Sequence, residues 1–551
     1  MRKTLLFPSI LFLALFIACY WVSAGSTSRR GAIVFCQDGQ IHTLDPAKMT
    51  YLQDIRVAQA LWEGLAQYAP HTLKPIPGQA KSWSISKNGL VYRFYLKPNA
   101  RWSNGQPVTS RDFVFEWKRV LHPHTGSGYV FLYFHIAGAE KYFNSIAAHP
   151  HHHLPFSTVG IKAPNRRTLV VTLTHPCPYF LDLMAFPPFF PLNYRVMQHF
   201  RENEDGQTGY NPIWTRPPHL VTNGAYRLTD WRFHQYLELT PNPYYDQRSQ
   251  VHCHLLKIVN YQDSTSAFLA YQSGVINVVG FVPNSLGPAL VKQEQAGLRH
   301  DVHITPVFGT MFLDLNCQKG VLKNRLIREA LDMAINRRAL VRHVVRMPTI
   351  PVHVLIPPNT IPGYRSPKGV GFNVAEARRL LAQAGYPGGR GMKPLRYLVV
   401  AGYPLMMPLA EAIGAMWEKN LGVRINIISE EGKIFHEECL HGRFDVAGDG
   451  WYGDYPDPST WLDLFLIGNP NNMSHYESPM YDRLLQKASQ APDPRVRFHL
   501  MHQAEAYLME RAFPAIPLFQ VPDGMVYNRA EIGGIEPNTR LVTLLKYIHR
   551  R

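Results

Sequence analysis

The sequence predicts a large α/β protein of two lobes or more, and three observations carry that prediction. Its 551 residues exceed the ~250–300 at which a single hydrophobic core stops growing. An apolar fraction of 46% and a charged fraction of 18%, with no long polar low-complexity tract, are those of a chain folded throughout. Strand-like and helix-like patterns alternate from one end to the other.

Taken in order, Ala32 to Asp45 reads as strand then loop, and Ile55 to Leu65 has helical spacing, with Ile55, Ala58, Leu61, Trp62 and Leu65 on one face. Val91, Arg93 and Tyr95 alternate with Leu90, Tyr92, Phe94 and Leu96 as the two faces of a strand, and Asn104-Gly105 marks a tight turn. Thr109 then caps a helix carrying Phe113, Phe115, Trp117 and Val120, with Asp112 at its favourable N-terminal end. Residues 168–174 form a strand after a turn at Pro164-Asn165. From Pro176 to Pro191 repeated prolines exclude both a long helix and a central strand, which predicts a crossing between structural units. Asn373 and Glu376 make a capping box for a helix with Leu380, Leu381 and Ala384, stopped at Gly385. A β-α-β crossover follows: strand Leu395–Ala401, helix Leu405–Asn420, then a strand with Val423, Ile425 and Ile427.

Residues 1–24 read as an export signal: Arg2 and Lys3, an apolar run from Leu5 to Ala18, then small residues. Two processing outcomes compete. Phe16-Ile17-Ala18-Cys19 suits lipoprotein cleavage, and Val22-Ser23-Ala24 suits ordinary signal peptidase; an uncleaved anchor is a third option. The other cysteines, Cys36, Cys177, Cys253, Cys317 and Cys439, are scattered, which excludes a disulfide scaffold. The net charge of +17 is spread along the chain without a dense block, which predicts a basic but ordinary surface rather than a nucleic-acid or membrane binder.

The motifs go further. WSNGQPVTSRDFVFEWKRVLHP (Trp102 to Pro123), HTLDPAK (42–48), LWEGL (61–65), VTNGAYRLTDW (221–231), IREALDMAINRRALV (327–341), LLAQAGY (380–386), FDVAGDGWYGDYPDPSTWL (444–462) and NNMSHYESPMYDRLL (471–485) together resemble the peptide/nickel solute-binding family, and specifically its oligopeptide-binding branch. That resemblance implies a hinged, two-lobed periplasmic-binding-protein fold, type II-like, with an extra inserted domain. The expected division is 31–65, 186–290 and 520–551 for a discontinuous lobe I, 66–185 for the inserted domain, and 291–519 for lobe II. It implies a non-enzymatic, monomeric receptor outside the cytoplasm, possessing no cofactor. Its partners would be a short peptide and the permease subunits of an ABC importer in the inner membrane, with no nucleic acid, and with a membrane tether only through a lipid on Cys19 or a signal anchor.

The resemblance also implies the site. Asp454 pairs with the ligand's α-ammonium group, Trp451 lines the cleft, the backbones of Gly450 and Tyr452 pair with the ligand main chain, and Tyr129 touches the ligand from the opposite lobe. A carboxylate facing an ammonium in a water-poor cleft is far stronger than in water, and backbone pairing reads a peptide while ignoring its side chains. Against this stand blander readings: Asp454 as a loop carboxylate serving the Tyr455-Pro456 turn, and the two aromatics as core packing. The sequence also departs from the family. Basic residues used toward the ligand's carboxylate are replaced by Gly448 and Cys439, and a tryptophan by Gly432, leaving Arg443 or Lys433 as substitutes. His149 with His151-His152-His153, and His252-Cys253-His254, lack the spacing for a tetrahedral metal site. A secreted hydrolase is the rival of another class, but G-x-S-x-G and H-E-x-x-H are both missing. A different solute, such as a nickel chelate, a dipeptide or a murein peptide, is the rival within the family.

Overall fold

The structure is a computed structural model that describes residues 31–551 apart from 151, 205, 206, 262, 284, 404 and 492. The export signal and Cys19 therefore lie outside the described residues. One mixed ten-stranded sheet runs through the molecule in the order Tyr226–Arg232, Tyr236–Pro241, Leu255–Asn260, Ala32–Gln37, Val278–Val279, Ala515–Tyr527, Val302–Leu315, Val446–Tyr452, Leu395–Val400, Ile425–Glu430. A separate four-stranded sheet holds Ala80–Ile85, Val91–Leu96, Thr168–Thr172 and Ile161–Asn165. These are the two lobes and the extra inserted unit of a periplasmic-binding-protein fold.

The lobes meet through two long antiparallel strands. Val302–Pro306 pairs with Pro522–Val526, and Thr310–Asp314 pairs with Ala515–Gln520, with the register broken between Pro306 and Thr310. The first half packs with lobe I, where Val302 and Val526 join Cys36 and Val279. The second half belongs to lobe II, whose sheet is covered on both faces. Leu313 and Leu315 point into a core with Trp417 and Phe519, while Phe308 and Phe312 point the other way, into a core with Trp461 and Tyr481, as strand alternation requires.

The family-like strings prove to be folding devices that grip one another. The backbone N–H of Thr109 donates to Asp112 at 2.7 Å, fixing the start of the helix Ser110–Val120. From that helix Arg119 donates to Asp45 of the TLDPAK string at 2.8 Å and to Glu116 at 2.7 Å, all three side chains buried. Breaking such a buried network by removing one partner costs ~3–5 kcal/mol. Asn223 bonds both backbone groups of Glu63, at 3.1 and 2.9 Å, which joins VTNGAY to LWEGL. Buried Arg328 caps the carbonyls of Leu322 and Ala512 at 2.6 Å each, and so ties its helix to the strand that begins at Ala515.

Most element boundaries agree with the sequence reading. The exception is the first helix, which spans Leu52–Leu61 and so ends four residues before Leu65. Leu65 is fully buried all the same, because the apolar spacing reports burial and continues into the loop that packs below the helix. Cys36, Cys177, Cys253, Cys317 and Cys439 are all buried and free.

Candidate binding cleft between the lobes

The strand Val446–Tyr452 positions the site. Its pairing with Val302–Leu315 runs its full length, Leu315 to Val446 through Gly309 to Tyr452. On its other edge, Leu395–Val400 pairs only with Val446 and Ala447. Residues 448–452 therefore leave one backbone edge open. The N–H of Gly453 points to the hinge strand, bonding Phe308 O at 2.7 Å, and successive residues alternate direction in a strand. The backbone groups of Gly450 and Tyr452 thus face the open edge. Asp449 Oδ1 already accepts from Gly450 N at 2.7 Å there.

Beyond the strand the chain turns sharply at Gly453, where a Cβ would lie 2.2 Å from the Phe308 ring and 2.6 Å from Trp461, so only glycine fits. The turn carries Asp454 across to the other lobe. Tyr129 Oη donates to Asp454 Oδ1 at 2.9 Å, and Thr460 Oγ1 accepts from the Asp454 backbone N–H at 3.1 Å. The Asp454 side chain is neither sealed in nor turned out: it stays partly accessible to solvent while protein surrounds it. That burial pushes its pKa up to about 7, against the opposing pull of the Tyr129 and Thr460 hydrogen bonds and the Arg540 charge. Tyr129 is 5% exposed and packs edge-on against Phe186 at 5.0 Å.

The segment after Asp454 is locked to both lobes. Tyr455 stacks on Tyr179 at 4.1 Å, Ser459 Oγ donates to Tyr179 Oη at 3.1 Å, and Arg497 holds Asp457 through bonds of 2.6 and 2.7 Å. Neither Tyr179 nor Arg540 was evident in the sequence, because each acts across a lobe boundary that periodicity does not encode; Thr460, six residues on in the same lobe, reaches Asp454 through the local turn. The two aromatics of the strand divide the work. Trp451 is partly buried against the second core of lobe II, whereas Tyr452 is 44% exposed and its phenol is pushed well up by the surrounding protein, as on the wall of an enclosed cleft.

Of the two basic residues the sequence offers for the far end of the open edge, neither stands as a preorganised receptor. Arg443 is committed to Glu438 at 2.6 Å, which Arg396 shares at 2.6 Å, and Lys433 sits exposed near the start of the helix Gly432–Leu440. In their place Asp449 and buried Asp314 lie on neighbouring strands, the pKa of each pushed up by burial and that of Asp314 further by the Asp449 charge. Among the described residues no group of three or more His, Cys, Asp or Glu could hold a metal ion.

Residues 74–473 match the model of "Bacterial extracellular solute-binding proteins, family 5 Middle". The chain belongs to this family. It is 30% identical to the periplasmic oligopeptide-binding protein OppA of Escherichia coli, over 88% of this chain and 87% of that one. A periplasmic oligopeptide-binding protein of Borrelia burgdorferi superposes with a TM-score of 0.84 at 28% identity, covering 94% of this chain and all of that one. The murein tripeptide binding protein MppA of E. coli gives 0.84 at 27% identity, over 95% and 99% of the two chains. Its unliganded open form gives only 0.68. This family 5 protein is therefore seen with its lobes drawn together, which agrees with the Tyr129–Asp454 contact across the cleft. Family 5 proteins are binding receptors rather than enzymes.

Proposed function

We propose that this protein is the extracytoplasmic receptor of an ABC-type peptide importer, which encloses a short peptide between its lobes and reads the backbone and the free amino terminus. The observation that supports this best is the conjunction of an open strand edge at 448–452 with a partly accessible carboxyl, Asp454, two residues beyond its end. A peptide added to that edge brings its ammonium to Asp454 and displaces the Tyr129 proton donor or shares the carboxylate with it. The names of the relatives, oligopeptide-binding OppA and murein tripeptide binding MppA, agree with that ligand class.

In this reading Gly450 and Tyr452 supply main-chain bonds, Trp451 lines the cleft, and Tyr129 closes it from the inserted unit. The proposed division is lobe I from 31–65, 186–290 and 520–551, inserted unit 66–185 and lobe II 291–519. The break in pairing between Pro306 and Thr310 moves the first lobe boundary from 291 toward 306. Closure is a population shift toward the state the ligand binds better, hinged at that break. The permease of the importer, and a lipid tether at Cys19, complete the proposal; a Cys19→Ala protein found soluble rather than with membranes supports the tether.

The test is native mass spectrometry of protein purified without denaturation. The proposal expects a co-purified peptide mass that disappears in Asp454→Ala. A peptide retained by Asp454→Ala removes this residue from the mechanism.

A further inference from the structure

The segment that follows Asp454 carries a side chain that its own lobe does not bury. Tyr455 leaves lobe II just after the Gly453 turn and is 1% exposed, and its ring joins the continuous core of lobe I and the inserted unit. Its near neighbour Trp461 stays in the second core of lobe II. Across the cleft Tyr455 meets Tyr179 face to face, with ring centroids 4.1 Å apart and planes 11° from parallel. Tyr179 precedes the short helix Phe180–Leu183, and Phe180 packs on Tyr92 of the inserted sheet at 4.7 Å.

The hydroxyls of the stack are held from both sides. Ser459 Oγ lies 3.1 Å from Tyr179 Oη, 3.3 Å from Tyr455 Oη and 2.8 Å from Asp457 Oδ1, and Tyr179 Oη lies 3.0 Å from His135 Nε2 of the inserted unit. Arg497, on the lobe II helix Pro494–Tyr507, grips Asp457 and so fixes Ser459 within its own lobe. Among the described residues, both side chains that bond the segment Asp454–Ser459 across the cleft, Tyr129 and Tyr179, come from the inserted unit. At 4% and 1% exposure Tyr179 and Tyr455 keep almost no surface for a ligand to touch. Parting the lobes puts both rings into water, and a large aromatic pair is costly to expose.

We propose that Tyr179 and Tyr455 are positioning residues that form a closure latch: the inserted unit is the socket, lobe II supplies the knob, and the pair stabilises the closed protein without touching the ligand. The inference rests on the peptide reading above and gives the inserted unit a part in it. Because Tyr455 is next to Asp454 in the chain, seating its ring also sets the Asp454 carboxyl against Tyr129, so latching and presentation of the ammonium site occur together. Apparent affinity scales with the fraction of protein in the binding-competent state. The latch therefore raises affinity for every peptide by one common factor, and it does so by slowing release.

The experiment is stopped-flow kinetics of the full mature protein, followed by its tryptophan fluorescence, with tri-alanine and with tri-leucine. In Tyr179→Ala the dissociation rate is expected to rise at least about tenfold for both peptides, by factors that agree within about twofold, while the association rate changes less than about twofold. Tyr179→Phe, which keeps the stack and removes the hydroxyl, is expected to raise it about fivefold; this variant and Ser459→Ala decide the question if Tyr179→Ala does not fold. Unchanged dissociation rates in the folded variants overturn the latch while the peptide reading stands. Factors that differ between the two peptides make Tyr179 part of a ligand pocket and overturn it too, as does a loss carried by association alone. If neither peptide binds the unmodified protein, the peptide reading fails, and small-angle scattering of the ligand-free protein judges the latch separately: a larger radius of gyration in Tyr179→Ala supports it, and equal radii overturn it.

Discussion

At one end of the open strand edge a single carboxyl, Asp454, meets a phenol donated from the other lobe at 2.9 Å. At the other end two carboxyls, Asp314 and Asp449, meet each other, and the nearby Arg443 is spent on Glu438. The first end is preorganised for a positive group, because the geometry is paid for by Tyr129, Thr460 and the locked Tyr455 stack before any ligand arrives. Among the described residues, the second shows no preorganised receptor for a negative one. A peptide held this way is gripped by its head, and its tail is left to whatever length the cleft admits.

The most damaging break in that asymmetry is Asp454→Ala. It leaves the ligand ammonium unpaired in a shielded cleft and should cost ~3–5 kcal/mol, at least about a hundredfold in affinity; loss of thermal stabilisation by free-amine peptides checks it. Acidification should act next. Burial pushes the Asp454 pKa up to about 7, so the folded protein holds this proton more tightly than the unfolded chain does. The stability it lends is present at low pH and is lost as pH rises through about 7, while the ammonium site appears over the same window. Peptide affinity measured by calorimetry should therefore be about fivefold weaker at pH 6 than at pH 7, above which the ligand's own ammonium begins to deprotonate. Tyr129→Phe removes one hydrogen bond to the carboxylate and keeps the ring against Phe186; about fivefold, ~1 kcal/mol, is expected. The smallest effect belongs to the tail. Amidating the ligand's C-terminus should change affinity by no more than about twofold, because neither basic residue stands preorganised there; a large loss would show a carboxylate receptor at that end and erase the contrast.

Much of the fold was legible. Asn104-Gly105, the Thr109–Asp112 cap and the crossover from Leu395 to Glu430 are local devices, and local devices are written in adjacent residues. The resemblance also singled out Asp454, Tyr129 and the Gly450–Tyr452 backbone, which the structure brings to one cleft, and it pointed to Gly448 and Cys439 as places where a basic residue is missing. What replaces those residues was not legible. Asp314 and Asp449 come together only through the register of two strands more than a hundred residues apart in sequence. Trp451 was expected on the cleft wall; it is partly buried, and Tyr452 beside it is the more exposed.

The central claim is that the ligand's free amino group is what this protein recognises first. Calorimetry with tri-alanine and with N-acetyl-tri-alanine tests it without altering the protein. The account predicts that acetylation, which removes the charge and keeps the backbone, weakens binding by about a hundredfold or more. Equal affinity for the two would contradict it.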